Sequence, residues 1–253
     1  MRAIDLNADL GESFGRWRLG DDEALLGVVT SANVACGFHA GDPATLVATC
    51  RNAVERGVAI GAQVGYRDLA GFGRRFIDVT PEDLYADVLY QLSALDGIAR
   101  TMGGRVGYVK PHGALYNAVV HHEAQAAAFA RAVADHPAEL TILGLPGSAV
   151  LRAAAEHEIA VAREFFADRA YDSDATLVDR RLAGAVLTDT GAVVRRIEQL
   201  LDSGTVTTVD GNDVAVECES ICVHGDTPGA VAMAQAVRSA LERTGATVTA
   251  FAP

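Results

Sequence analysis

The stretch Val106-Gly107-Tyr108-Val109-Lys110-Pro111, followed at once by His112-Gly113, reads as a strand that ends in chemistry. Its apolar run has strand length, and proline and glycine then punctuate it. Side chains alternate between the two faces of a strand, so Lys110 and His112 share one face at its carboxyl end. This lysine stands alone among 21 basic residues, the other 20 being arginine. The same organisation recurs on either side. Apolar runs at 3–9, 31–36, 58–65, 140–145, 160–166 and 220–225, with a further candidate at 247–252, alternate with stretches of helical period. That alternation predicts βα units around a parallel sheet.

The clearest helix has Thr80 as N-cap, Pro81 in first position and Glu82 and Asp83 in its first turn. Leu84, Val88, Leu92, Leu95 and Ile98 then repeat at helical spacing until Gly103. Further helices are expected at 42–56, 122–135, 148–158, 190–202 and 228–243. Segment 205–217 departs from the pattern, because alternating β-branched residues flank Asp210-Gly211, the signal of an inserted hairpin with a two-residue turn. With no linker and no internal repeat, residues 1–253 read as one domain.

Periodicity does not separate a closed (β/α) barrel from an open doubly wound sheet, and in both architectures ligands sit at the carboxyl ends of strands. The polar residues discriminate. Asn7 and Asp9, His39, Gln63, Lys110 and His112, Glu164 and Asp168, and His224 and Asp226 fall at the ends of six strands. Six contributors fit a barrel mouth, whereas a switch-point crevice draws mainly on two.

Composition excludes several partners. The formal net charge is −12, and no Lys/Arg cluster supplies the basic footprint that nucleic acid or an anionic membrane surface requires. No apolar run approaches the ~18–20 residues of a membrane span and no leader is recognisable, so a cytoplasmic protein is expected. Cys36, Cys50, Cys218 and Cys222 form no CxxC pair and read as ordinary thiols.

Nucleotide fingerprints are missing: there is no GxGxxG, and the sole lysine stands in Val109-Lys110-Pro111 instead of a Walker A loop. Gly11-Glu12-Ser13-Phe14-Gly15 matches GxSxG, but no helix follows it directly as a nucleophile elbow demands. Three histidine segments carry more. The run Asn33 to Asp42 presents His39 before a helix that starts at Asp42-Pro43, Val109 to Gly113 presents Lys110 and His112, and Val223 to Pro228 presents His224 and Asp226. Imidazole and carboxylate suit Zn, Mn or Fe, which makes Asp9, His39, His112 and His224, with Asp226, candidate ligands of a divalent metal. The same groups suit general acid–base work without a metal equally well. His121 and His122 are expected to open a helix, and His136 and His157 to lie near helix ends as solvated or capping residues.

AIDLNADLGESFG (3–15), SANVACGFHAGDP (31–43), GYRDLAGFGRR (65–75), VKPHGALYN (109–117), EFFADRAYDSDATLVDR (164–180) and ICVHGDTPGA (221–230) together resemble the LamB/YcsF family. The segments recur in family order from residue 3 to residue 230. The resemblance implies a seven-stranded β/α barrel like those of polysaccharide deacetylases. It further implies a role in the ATP-dependent opening of 5-oxoproline to L-glutamate, together with separate 5-oxoprolinase subunits B and C. Where many family members read Gly-Ala-His-Pro, this chain reads Gly61-Ala62-Gln63-Val64, which removes a potential metal ligand.

On this reading Asp9, His39, Lys110, His112, His224 and Asp226 are the candidate catalytic residues. Asn7, Gln63, Arg74, Arg75, Glu164, Asp168 and Arg169 are candidates for substrate binding, the arginines because a guanidinium matches a carboxylate bidentately. Lys110 is expected to stabilise developing negative charge as a compact cation whose pKa can fall on burial. ATP would be a cosubstrate of the assembled enzyme. Two other readings share the same residues: a stand-alone metal-dependent amidohydrolase or deacetylase, and a non-catalytic subunit that binds the lactam.

Overall fold

Seven parallel strands close on themselves into a ring with helices outside. The computed structural model describes residues 3–226 and 229–252. In chain order the elements are β1 (Ala3–Leu10), α1 (Asp22–Leu26), β2 (Ser31–Ala35), α2 (Pro43–Arg56), β3 (Ala59–Val64), α3 (Pro81–Thr101), β4 (Val106–Pro111), α4 (Gly113–His121) and α5 (Glu123–Ala134). They continue with β5 (Thr141–Gly144), α6 (Ala149–Glu156), β6 (Ala160–Phe166), α7 (Thr190–Ser203), β7 (Thr205–Thr207), β8 (Asp213–Ala215), β9 (Ser220–Val223), α8 (Ala230–Arg243) and β10 (Thr247–Val248). The ring runs β1-β2-β3-β4-β5-β6-β9, and β9 closes it on β1 through the register Asp5↔Ser220 to Ala8↔Val223. β10 adds to the start of β1.

Period-two alternation sorts each strand into two faces. On β1, Ile4, Leu6, Ala8 and Leu10 join the apolar layer against the helices, while Asp5, Asn7 and Asp9 bond to side chains of other strands across the ring. Buried Val/Ile/Leu usually fill such a barrel. Here the filling is polar. At the floor, Asp5 accepts from Ser31 Oγ (2.6 Å), Thr30 Oγ1 (2.6 Å) and Ser220 Oγ. One level up, Asn33 Nδ2 donates to Asn7 Oδ1 (2.7 Å), and the Tyr108 hydroxyl donates to Asn33 Oδ1 (2.7 Å). Gly61 makes room for Tyr108, whose ring lies 2.1 Å from where a Cβ on Gly61 would stand.

The helices follow their caps. Thr80 Oγ1 accepts from Asp83 N to start α3, Asp42 accepts from Ala44 N and Thr45 N to start α2, and Asp189 caps α7. The sequence reading missed α1 and α4. α4 leaves β4 through His112, an N-cap that makes no side-chain hydrogen bond, and so it carries no capping signal. His121 therefore ends α4 instead of opening a helix, and His122 caps α5 by accepting from Gln125 N. His136 is buried, not solvated, while His157 is the exposed C-cap of α6. The strand expected at 247–252 shrinks to β10, and the expected start of the last helix at Pro228 falls outside the described residues, as does Thr227.

The hairpin is β7 and β8, but its turn differs from expectation. Thr208 N donates to Asn212 O and Gly211 N to Thr208 O, leaving the three-residue loop Val209-Asp210-Gly211 with Gly211 at φ +83°. The adjacent glycine completes a type I turn with a bulge, not a two-residue turn. Gln199 of α7 holds the hairpin by donating to Thr207 Oγ1 and Asp213 Oδ1, both at 3.1 Å. Between β6 and α7, residues 167–189 carry a small core of their own, Ala170, Val178 and Ala185. No described helix is long and apolar enough to cross a membrane.

Candidate active site

A cavity of about 800 Å³ opens at the carboxyl ends of the strands, with Asp9, Lys110, His112 and His224 in its wall. Lys110 in that wall is buried among polar groups. The ammonium lies 2.7 Å from Glu164 Oε1, 3.3 Å from Asp9 Oδ1, 3.4 Å from Asn7 Oδ1 and 3.2 Å from Cys222 Sγ, and 5.1 Å over the Phe166 ring. Burial opposes its charge, but Asp9 and Glu164 outweigh that and hold its pKa well above the ordinary lysine value. The expected fall in pKa is thus corrected: one buried cation between two carboxylates stays charged. Burial likewise opposes the charge on Asp9, yet Lys110, followed by His224 and His112, keeps its carboxyl well below the usual range. Asn33 Nδ2 fixes the same oxygen at 2.9 Å.

His224 and Asp168 form a second unit. The imidazole Nδ1 stands 2.9 Å from both carboxylate oxygens of Asp168, and the ring stacks on Phe166 at 5.6 Å. Burial pushes Asp168 up, but the neighbouring His224 overrides it and leaves the carboxyl below its ordinary value. With Nδ1 committed to a carboxylate, Nε2 is the nitrogen left for a ligand. Asp168, expected to touch substrate, is instead spent on orienting His224. Asn7 and Glu164 are similarly engaged below the cavity, since Asn7 Nδ2 donates to Glu164 Oε1 (3.1 Å) and Ser220 Oγ (2.7 Å).

His39 and His112 stack at 4.0 Å with an interplanar angle of 19°. His39 Nε2 lies 3.0 Å from Gln63 Oε1, and Gln63 Nε2 donates to Glu12 Oε1 at 3.3 Å. Burial keeps both imidazoles neutral, His39 pushed down to about 4 and His112 well below its ordinary value, with His39 as the second cause for the latter. Burial, then Asp9 and Asp226, push Glu12 well above the carboxylate range. Loop 65–75 approaches closely: a Cβ on Gly65 would fall 2.5 Å from His39 Nδ1, and one on Gly73 3.0 Å from His112 Nδ1.

Among the described residues, the group whose ligand atoms all lie within 4.8 Å of one another is Glu12, His39 and His112. One carboxyl group, which a cation would ionise, and two neutral imidazoles, with His39 Nδ1 and His112 Nδ1 lacking partners, are a donor set that fits a divalent transition metal. Asp9 and His224 stand outside it, tied to Lys110 and Asp168. Glu12 escaped the sequence reading, which tested Gly11 to Gly15 for a serine nucleophile. Ser13 Oγ instead pins the loop, accepting from Leu19 N at 3.0 Å.

Of the arginines, Arg75 is two-thirds exposed and paired with Asp68 (Nε to Oδ1 3.0 Å), so it is not free for a substrate carboxylate. Arg74 lies over the Phe72 ring and donates to Asp226 Oδ2 at 2.6 Å. Asp226 is thereby an arginine partner. Arg169 is buried, donating through Nη2 to Val178 O (2.6 Å) and through Nε to Ala185 O (3.3 Å).

Several known proteins are similar to this chain along its whole length. Residues 4–253 match the LamB/YcsF family. A Mycobacterium marinum protein, named as the A subunit of 5-oxoprolinase, is 60% identical over 251 residues, which are 99% of this chain and 100% of that protein. A Cutibacterium acnes protein of the same name is 57% identical over 256 residues, covering 100% of both. The crystal structure of a lactam utilization protein from Thermus thermophilus superposes with a TM-score of 0.93 at 41% identity, over 99% of this chain and 100% of that one.

Proposed function

Because the chain belongs to the LamB/YcsF family, we propose that it is the ring-opening subunit of a 5-oxoprolinase. It would convert 5-oxo-L-proline to L-glutamate, with ATP consumed as cosubstrate by the assembly of this chain with separate subunits B and C. The observation that carries the reading is that His224, held from behind by buried Asp168, lies in the wall of one cavity with Lys110 and Asp9, which pair with each other.

A five-membered lactam is a resonance-stabilised amide, so its carbonyl carbon resists water. His224 Nε2 takes a proton from the attacking water while Asp168 stabilises the imidazolium that forms. As the C5–N bond breaks, the imidazolium returns the proton to the ring nitrogen, leaving an amine and, once the partner subunits have used ATP to phosphorylate the carbonyl oxygen, an acyl phosphate that a second water hydrolyses to the carboxylate and inorganic phosphate. Asp9, held ionised by Lys110, is the acceptor for the lactam N–H, and Arg74 is the donor for the substrate carboxylate. A divalent ion on Glu12, His39 and His112 would supply Lewis-acid polarisation of the carbonyl.

Glutamate release from 5-oxoproline, measured for the chain alone and with both partner subunits, with and without ATP, tests the reading. Turnover only with partners and ATP is expected. Turnover by the chain alone without ATP would overturn it in favour of a stand-alone amidohydrolase, the second reading, which the Glu12–His39–His112 cluster favours. In that case activity should follow metal content by elemental analysis.

A further inference from the structure

We infer that Tyr108 and Asn33 are positioning residues for Asp9, and that residues 249–252 close the amino end of the barrel behind them. Together they fix which Asp9 oxygen meets the ligand, and so set a preference for a ring N–H over a ring oxygen. The inference rests on the reading of Asp9 as the acceptor for the lactam N–H and names what holds it in that role.

Strand register is the starting point. Asp9 on β1 pairs with Asn33 on β2, Asn33 with Gly61 on β3, and Gly61 with Tyr108 on β4, so the four stand at one level of the ring. Gly61 is the member that lets the others meet. With no Cβ there, the Tyr108 ring crosses over its backbone, and the hydroxyl donates to Asn33 Oδ1 at 2.7 Å. Burial, and then Asp5, hold the phenol well above its ordinary pKa, so it keeps the proton it donates. With its carbonyl oxygen engaged in this way, Asn33 turns both Nδ2 hydrogens to the other side, one to Asn7 Oδ1 (2.7 Å) and one to Asp9 Oδ1 (2.9 Å). Lys110 meets the same Asp9 oxygen at 3.3 Å. Among the described residues Oδ1 is thus taken twice, and Oδ2 is the oxygen left for a ligand in the cavity.

Tyr108 is itself held from the far end of the barrel. After β10, Thr249 N donates to Ile4 O of β1 (3.0 Å), and the backbone then crosses to β4, where a Cβ on Gly107 would stand 3.1 Å from Ala252 O. The Phe251 ring lies against Tyr108, centroids 4.9 Å apart at 59°. With Ala252 it packs on a small apolar layer made of Tyr108, Leu143 and Ala162, one residue each from β4, β5 and β6. One short segment thereby bridges β1 to β4, β5 and β6 and acts as a stopper. Beside this layer the interior is polar, and Asp5, Asn7, Asn33, Glu164 and Lys110 are each at most 2% exposed. Such a network keeps its geometry only while water does not compete for its bonds. The stopper excludes water at the end opposite the cavity, and Tyr108 carries its hold to Asn33 and so to Asp9.

The experiment is calorimetric titration of the full chain with 5-oxoproline and with its lactone isostere, in which oxygen replaces the ring N–H. The parent is expected to prefer the lactam, because a site built to accept an N–H rejects the analogue that lacks it. Tyr108→Phe removes one hydroxyl and should weaken the lactam about three- to tenfold while leaving the lactone within about twofold. Phe251→Ala should act in the same direction, and Phe251→Leu, which restores an apolar stopper, should recover the parent preference. Phe251 is only partly buried, so its variants answer the question even if Tyr108→Phe does not fold. A second readout needs no ligand: hydrogen exchange of the Asn33 side-chain amide, followed by NMR, should speed by about tenfold in Tyr108→Phe and Phe251→Ala relative to the backbone amides of β2. Equal loss of lactam and lactone affinity, or a parent that binds both alike, would overturn the proposal. So would Asn33 exchange that keeps pace with the backbone, since that is what a merely loosened barrel gives. A parent that binds neither compound sinks the lactam reading, and selectively faster Asn33 exchange then leaves the positioning of Asp9 standing.

Discussion

His224 and Asp168 reach each other from adjacent strands, β9 and β6, and the pair is only as useful as the tautomer it enforces. Asp168→Asn keeps the shape but offers an N–H to Nδ1, which favours the tautomer with Nε2 protonated and removes the base from the cavity. Turnover of the assembled enzyme is expected to fall by about 10² to 10⁴ with little change in KM. Equal turnover would return His224 to a structural role. Lys110 makes a different demand. It is the cation between Asp9 and Glu164 at full burial, so Lys110→Met should lower the unfolding free energy by about 3–5 kcal/mol in a denaturant titration. A loss under ~1 kcal/mol would mean that the carboxylates are neutral in the fold. The sequence already set these residues apart, because a charged or imidazole side chain at the end of an apolar run has no packing reason to be there. Glu12 and the engagement of Arg75 were not legible. Both depend on loops that fold back across the mouth, and spacing along the chain carries no record of that return.

At the scale of elements, the strands were readable because their outward residues are apolar, while Thr80 and Asp42 announced the starts of two helices. α4 was hidden for the opposite reason: it starts at Gly113, whose φ is +58° and whose missing Cβ leaves room for Gly73 O, 2.5 Å from that position. The hairpin of β7 and β8 shows how far a turn signal goes. Asp210-Gly211 marked the place, but the length of the loop was decided by the pairing of Thr208 with Asn212. Gly211 carries the left-handed residue of that loop, so Gly211→Val should destabilise the protein by about 1–2 kcal/mol in thermal or denaturant unfolding. Because the hairpin leans on α7 and not on the cavity, turnover at a temperature where the variant is folded should match the parent. A selective loss of catalysis would place the hairpin in the site or at an assembly contact the site needs.

For the whole molecule, the polar interior has a measurable cost. Burial raises Asp5 from 3.8 to about 6, despite hydrogen bonds from Ser220, Ser31 and Thr30. Below the unfolded value the group is protonated in both states and has no effect. Between 3.8 and about 6 the folded state binds more protons than the unfolded one, so stability falls as pH rises through that window. The loss amounts to about 3 kcal/mol once the window is passed. Asp5→Asn does not titrate, and its stability relative to the parent should therefore improve by about that amount between pH 4 and pH 7. A gap that stays flat across the range would mean that Asp5 ionises freely in the fold.

The closure of the ring also sets a schedule for the ribosome. Asp5 and Ser220, which meet where β9 joins β1, are 215 positions apart, so the first strand synthesised waits for nearly the last before its second edge is covered. Until then the nascent chain holds six strands as an open sheet with two bare edges, one beside β1 and one beside β6. Contacts this distant form late and slowly. Throughout translation of the final third, each growing chain thus offers an edge that a neighbour on the same message can pair with, and the need for a chaperone is concentrated in that interval.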